Sequence, residues 1–152
     1  MQPTVTQASL YEQDFCLWLE QTARQLRSGK FSDIAIEVLA EEIDALGRSE
    51  KQELENRLDV LITHLLKRIY MDSAYDNRGW ELTIHEQRKL LRRLLKKSPS
   101  LKRYLAEVFD EVWQDALSQV RLEYRKVLFP ERWEFPTDVD SLLSATFWDE
   151  KP

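Results

Sequence analysis

Apolar residues recur along this chain at three- and four-residue steps, the period of one face of an α-helix. Over residues 9–27 the stripe is Tyr11, Phe15, Trp18, Leu19, Thr22 and Leu26. Gly29 follows, the residue type that most readily takes the left-handed turn closing a helix. A second stripe, Ala35, Ile36, Leu39, Ile43 and Leu46, starts after Ser32, whose hydroxyl can cap a helix. Gly47 then weakens the pattern. Ser49 and Gln52 stand at capping-box spacing. A new helix is therefore expected from Ser49, with one long helix kinked at Gly47 as the alternative. Leu54, Leu58, Leu61, Ile62, Leu65 and Ile69 carry the apolar face on to Tyr70.

Residues 72–79 read as a polar loop. A fourth helix is expected over residues 80–97, with Trp80, Ile84, Leu91, Leu94 and Leu95 inward. Ser98-Pro99 punctuates the chain, since serine caps helices and proline suits a first helical position. A fifth helix then runs to about Val127 on Leu101, Leu105, Val108, Val112 and Ala116, widened by Phe109, Trp113 and Leu117. Phe129-Pro130 ends it. The tail holds Trp133, Phe135, Leu142, Leu143, Phe147 and Trp148, too many large apolar side chains to stay in water. It is expected to fold back on the helices, with one short helix after Thr137. The pattern therefore predicts an all-α, single-domain bundle of about five amphipathic helices with a packed aromatic-rich C-terminal tail. That domain would cover residues 9–150, after a flexible N-terminus at residues 1–8.

Composition supports helices over strands. With 3 glycines and 5 prolines in 152 residues, there is little turn chemistry for an all-β fold. The single cysteine, Cys16, excludes an intrachain disulfide and a cysteine-based zinc site. It lies on a helix beside Phe15 and Leu17, where a structural thiol is the ordinary reading. No apolar run approaches the ~18 residues of a membrane span. The first residues lack the basic start and apolar stretch of a secretory signal, so no membrane association and a cytoplasmic location are expected.

Five strings stand out as a set: YEQDFCLWLEQTARQLRSGKFSD, EEIDALGRSEKQEL, HLLKRIY, WELTIHEQRKLLRRLLKKSPSL and FPERWEFP. In this order and spacing the chain resembles a bacterial family known as domain of unknown function 29, common in photosynthetic bacteria. The resemblance runs from Tyr11 to Trp148. It implies a small all-helical protein and no assigned activity.

Charge is unevenly distributed within a net of -5. Residues 1–55 carry a net -6, residues 56–105 a net +7 and residues 106–152 a net -6. The basic middle either neutralises its neighbours or presents a face to a partner. Lys89, Arg92, Arg93, Lys96 and Lys97 on the fourth helix are the candidate nucleic-acid contacts, because such a face can neutralise phosphates. It lacks the stacking aromatics that single-strand binding uses, and the plain alternative is a solvated face. Glu37, Glu41 and Asp44 project opposite their helix's apolar stripe and read as solvated. Glu42 lies beside that stripe and is expected to be partly buried.

Catalytic chemistry finds little footing. There is no Glu-x-x-His pair, no His-Glu-x-x-His, no Gly-x-Ser-x-Gly elbow and no glycine-rich phosphate loop. No catalytic residue, no metal and no cofactor are expected. Gln87 falls on the core stripe of the fourth helix and Arg88 at its edge, so both need partners if buried. Glu42, His64, Gln87 and Arg88 thus form a candidate inter-helix polar cluster. Arg88 is expected to pair with a carboxylate, Glu42 first, and Gln87 with backbone or with His64. Such a cluster fixes helix register or encloses a small ligand. The leading expectation is a non-enzymatic protein-interaction module, motivated by 5 Trp, 5 Tyr and 6 Phe. Nucleic-acid binding comes second. An enzyme or small-ligand binder built on the polar cluster comes third.

Overall fold

The computed structural model describes residues 7–150. Residues 1–6, most of the segment expected to be flexible, lie outside the described residues, and helix already begins at Gln7. Six α-helices and no strand occur among the described residues, so the chain is all-α. It divides into two compact units, residues 1–48 and 49–152.

The first unit opens with α1 (Gln7–Gln13) and α2 (Phe15–Ser28). One helix was expected here. Asp14 divides it, because its backbone turns extended at φ -150° while its carboxylate accepts from the Leu17 N–H at 3.0 Å. That is N-cap geometry, which satisfies a donor the helix start would otherwise leave free. Gly29 ends α2 at φ 76°, and the Lys30 N–H returns to the Gln25 carbonyl at 3.1 Å. This is the six-to-one bond of a Schellman turn. Trp18 is fully buried, with the rings of Tyr11 and Phe15 against it at 5.0 and 6.1 Å. Thr22 and Ile34 are buried as well. Cys16 is exposed on α2 rather than packed inside.

Ser32 does not open the next helix. Residues Phe31–Asp33 make a 3-10 turn, and α3 starts at Ile36. It then runs unbroken for 35 residues to Tyr70, through Gly47. The new helix expected from Ser49 does not form; the alternative, one long helix through Gly47, is the one realised. Within the first unit α3 does not bury its expected stripe. Ile36, Ile43 and Leu46 are 55, 59 and 63% exposed. The more protected side is Ala35, Val38, Leu39, Glu42 and Ala45. Glu42 belongs there because the Tyr11 hydroxyl donates to it at 2.7 Å.

The second unit holds the rest of α3, then α4 (Asn77–Lys97), α5 (Leu101–Glu123) and α6 (Val139–Ser144). Its core follows the periodicity closely. Leu54, Leu58, Leu61, Ile62, Leu65 and Ile69 of α3 are fully buried. Ile84, Leu91, Leu94 and Leu95 of α4 and Leu105, Val112, Ala116 and Val120 of α5 close on them. The tail completes this core. Trp133 meets Phe109, Trp113, Phe135 and Phe147 edge-on, at centroid distances of 6.0, 5.8, 5.4 and 5.3 Å. Phe147 and Leu142 are fully buried. The expected short tail helix is α6, capped by Asp138, whose carboxylate accepts from the Ser141 N–H at 3.0 Å. Among the described residues no helix is long and apolar enough to cross a membrane.

Candidate functional site

The polar centre of the second unit is Arg88, which is only 7% exposed. Ile84, Arg88 and Arg92 recur at four-residue steps on α4, so the two guanidinium groups stand one turn apart on one side of the helix. The C-terminal end of α6 lies against them. Arg88 Nε donates to the Leu142 carbonyl at 2.9 Å and its Nη2 to the Ala145 carbonyl at 2.6 Å. Arg92 Nη2 donates to the Leu143 carbonyl. The last carbonyls of a helix lack intrahelical donors and carry partial negative charge, so cations are favoured there. The guanidinium carbon of Arg88 also sits 6.0 Å from the Phe147 ring centroid.

Beside this clamp opens a cavity of about 440 Å³. Ile84, His85, Arg88 and Arg92 line it from α4, Leu143 from α6, and Trp148 from the tail. One carboxylate, Glu81, reaches the wall, and it is ion-paired with Arg68 at 2.9 Å. The Arg68 guanidinium in turn lies 5.4 Å from the Trp148 ring centroid. Burial, and the positive charge of Arg92 next to it, push the Arg88 guanidinium down to about 10. The hydrogen-bond partners of this buried cation are the Leu142 and Ala145 carbonyls.

The expected cluster is therefore only partly assembled. Arg88 is buried, as its edge position indicated, but its bonded partners are backbone carbonyls rather than a carboxylate. Glu42 belongs to the first unit and accepts from Tyr11. Gln87 is 8% exposed, and its Oε1 has no hydrogen-bond partner among the described residues. His64 is half-buried and sets its Nδ1 2.8 Å from the Val60 carbonyl, one turn earlier on its own helix. Burial holds its pKa below the ordinary histidine value. Trp148 and the α6 carbonyls were not picked out as site features. Trp148 was visible only as one of many tail aromatics, and a carbonyl leaves no signature in the sequence because every residue has one.

The basic face of α4 is largely used within the unit. Lys89 pairs with Glu86 at 2.9 Å and Lys97 with Glu50 at 3.1 Å. Arg92 is committed to Leu143, while Arg93 and Lys96 stay exposed. No group of three His, Cys, Asp or Glu side chains among the described residues is placed to hold a metal ion.

No curated protein and no solved structure matches the chain. A family match does exist, to the family described as Domain of unknown function DUF29, over residues 10–148. That span holds both units nearly whole, from the start of the Tyr11–Trp18 packing to the Trp148 that walls the cavity, and the chain belongs to this DUF29 family.

Proposed function

We propose that the protein is a non-enzymatic protein-binding module whose first unit docks a basic amphipathic helix of another protein. The observation that carries this is the apolar face of α3. Ile36, Ile43 and Leu46 are each more than half exposed, and with Leu39 they follow the 3-4-3 spacing of a helix-docking seam. Natural chains avoid leaving such a row in water without use. Fully burying one Ile or Leu is worth about 1.5–3 kcal/mol, so covering three half-exposed ones contributes several kcal/mol to binding.

Charge selects the partner. The segment between Lys30 and Arg48 carries Asp33, Glu37, Glu41, Glu42 and Asp44 and no basic residue. Glu37, Glu41 and Asp44 project from the side of α3 opposite the seam, so they act through the negative field of the whole unit rather than as contacts along the seam. A basic helix is drawn by that field, whereas a second copy would bring acid against acid. The nucleic-acid reading is weaker, because Lys89, Arg92 and Lys97 already have partners within the unit. The setting proposed is the cytoplasm, where a lone exposed thiol such as Cys16 stays reduced.

The test is a photo-crosslinking residue placed at Leu46 of the full chain in its native cell, with crosslinked peptides sequenced. A recurring protein, joined through a basic amphipathic segment and lost in Ile43→Asp, is the expected result. Crosslinks to nucleic acid alone, to this chain alone, or to no recurring protein would overturn the proposal.

A further inference from the structure

We propose that the cavity between α4 and the α6 end of the second unit binds a small organic anion, a carboxylate or phosphate group carried on an apolar body. Positive charge at the cavity wall exceeds what its partners offset. Arg88 and Arg92 bring two full positive charges to the α6 C-terminus. A helix end offers at most about half a negative charge, and a helix as short as α6 offers less. The carboxylate in the wall, Glu81, is already matched by Arg68. A surplus of positive charge therefore remains around the cavity, and His85 stands on the same side of α4.

Donors are also left over. A guanidinium has five N–H groups in a fixed fork. Arg88 commits its Nε–H and one Nη2–H to carbonyls, which leaves three. Such a fork, preset by two backbone anchors, loses little freedom when it takes an oxyanion. Arg92, one turn along α4, provides a second donor set on the same wall.

Shape and lining suit the same kind of ligand. The volume of about 440 Å³ falls in the usual range for small-molecule sites, about 300–1,000 Å³. Ile84, Leu143 and Trp148 supply apolar wall beside the two arginines. Inorganic phosphate alone would leave that wall uncovered, so the fit is to an anionic group with a carbon body. This site lies wholly in the second unit and is independent of the helix-docking face of the first.

The experiment titrates the full chain with phenyl phosphate, benzoate and the neutral analogue benzyl alcohol, by calorimetry at low salt. At least one anion should bind one-to-one, and benzyl alcohol should not; which anion binds tighter identifies the headgroup. Arg92→Gln should weaken binding by about tenfold or more. Arg93→Gln, the same charge loss on the same helix outside the cavity, should leave it nearly unchanged. As a second readout, the bound anion should alter tryptophan fluorescence in the wild type and much less in Trp148→Phe, which keeps the other four tryptophans. This readout decides the matter if Arg92→Gln fails to fold. Absence of anion binding, equal binding by a folded Arg92→Gln, or an undiminished fluorescence change in Trp148→Phe would each overturn the proposal.

Discussion

Arg88 Nε lies 2.9 Å from the carbonyl oxygen of Leu142, a bond that ties α4 to a residue 54 positions later in the chain. With the Ala145 and Leu143 contacts it fixes the tail helix by its C-terminal end. The tail is thereby locked at a point where its own backbone has no helical donors left. Hydrogen bonds to charged groups are worth about 1.5–3 kcal/mol each. Arg88→Ala removes two of them and strands buried carbonyls, so a loss of about 3 kcal/mol or more is expected in urea denaturation. Arg88→Lys should recover only part of it, because one ammonium cannot reproduce the fork. An Arg88→Ala protein that melts like the wild type would show that these carbonyls find other donors.

The tail is expected to behave as core. Phe147 is fully buried against Trp133 at a centroid distance of 5.3 Å. Phe147→Ala should cost about 3–5 kcal/mol, the range for deleting a buried aromatic side chain. Near-ultraviolet circular dichroism should weaken at the same time, since Trp133 loses the ring it packs on. A loss below about 1 kcal/mol would mean that the tail is held elsewhere.

Periodicity made most of the second unit legible. Where a helix buries one face on several neighbours, the apolar stripe and the buried face are the same residues, as from Leu54 to Ile69. In the first unit the rule breaks. Ile36, Ile43 and Leu46 have the right spacing for a core but are exposed, while the protected side of α3 carries Val38 and Glu42 beside Leu39 of the expected stripe. Spacing says which residues share a face, and not what covers it. The break at Asp14 had a local signal, a capping side chain three residues before Leu17, but the apolar stripe running through it masked that signal. Arg88 could be placed from its helical position, while its acceptors could not, because they are backbone atoms more than 50 residues away.

Gly47 offers a direct test of the continuous α3. It is exposed, helical, and has open space where a Cβ would stand. Glycine inside a helix costs roughly 0.5–1 kcal/mol relative to alanine. Gly47→Ala should therefore stabilise α3 by about that amount and slow amide hydrogen exchange around residues 44–50. Faster exchange there would point to a break at Gly47 that alanine opposes.

Asp59 faces α5 with an uncomfortable charge. Burial, and then the nearby Asp115, raise its pKa above the ordinary aspartate value, against a smaller opposing effect of the Thr63 hydroxyl. A carboxyl whose native pKa is raised is fully tolerated below its unfolded pKa and becomes destabilising as pH climbs through the native one. Asp59→Asn is isosteric and uncharged. It should raise the melting temperature at neutral pH, with the gain shrinking below about pH 4. A gain that is the same at both pH values would mean that the effect is not electrostatic.

His64 sets the opposite dependence. Burial is the largest influence and lowers its pKa, the Val60 carbonyl pulls the other way, and Lys67 and Glu123 follow as smaller, opposed effects. The native state thus prefers the neutral ring, with Nδ1–H donating to Val60. The unfolded chain takes up a proton near pH 6.5. Below that value the unfolded state binds more protons than the native one, so stability falls as the solution is acidified. The contribution is fully present above about pH 6.5 and is lost as pH drops through the lowered native pKa. Urea midpoints measured from about pH 7.5 down to 5.5 should decline in the wild type. His64→Leu keeps an apolar side chain on a half-buried helix face and cannot titrate, so it should flatten that decline. A His64 ring proton titrating in NMR at or above the ordinary histidine value would refute the assignment, because the native ring would then gain its proton as easily as the unfolded one.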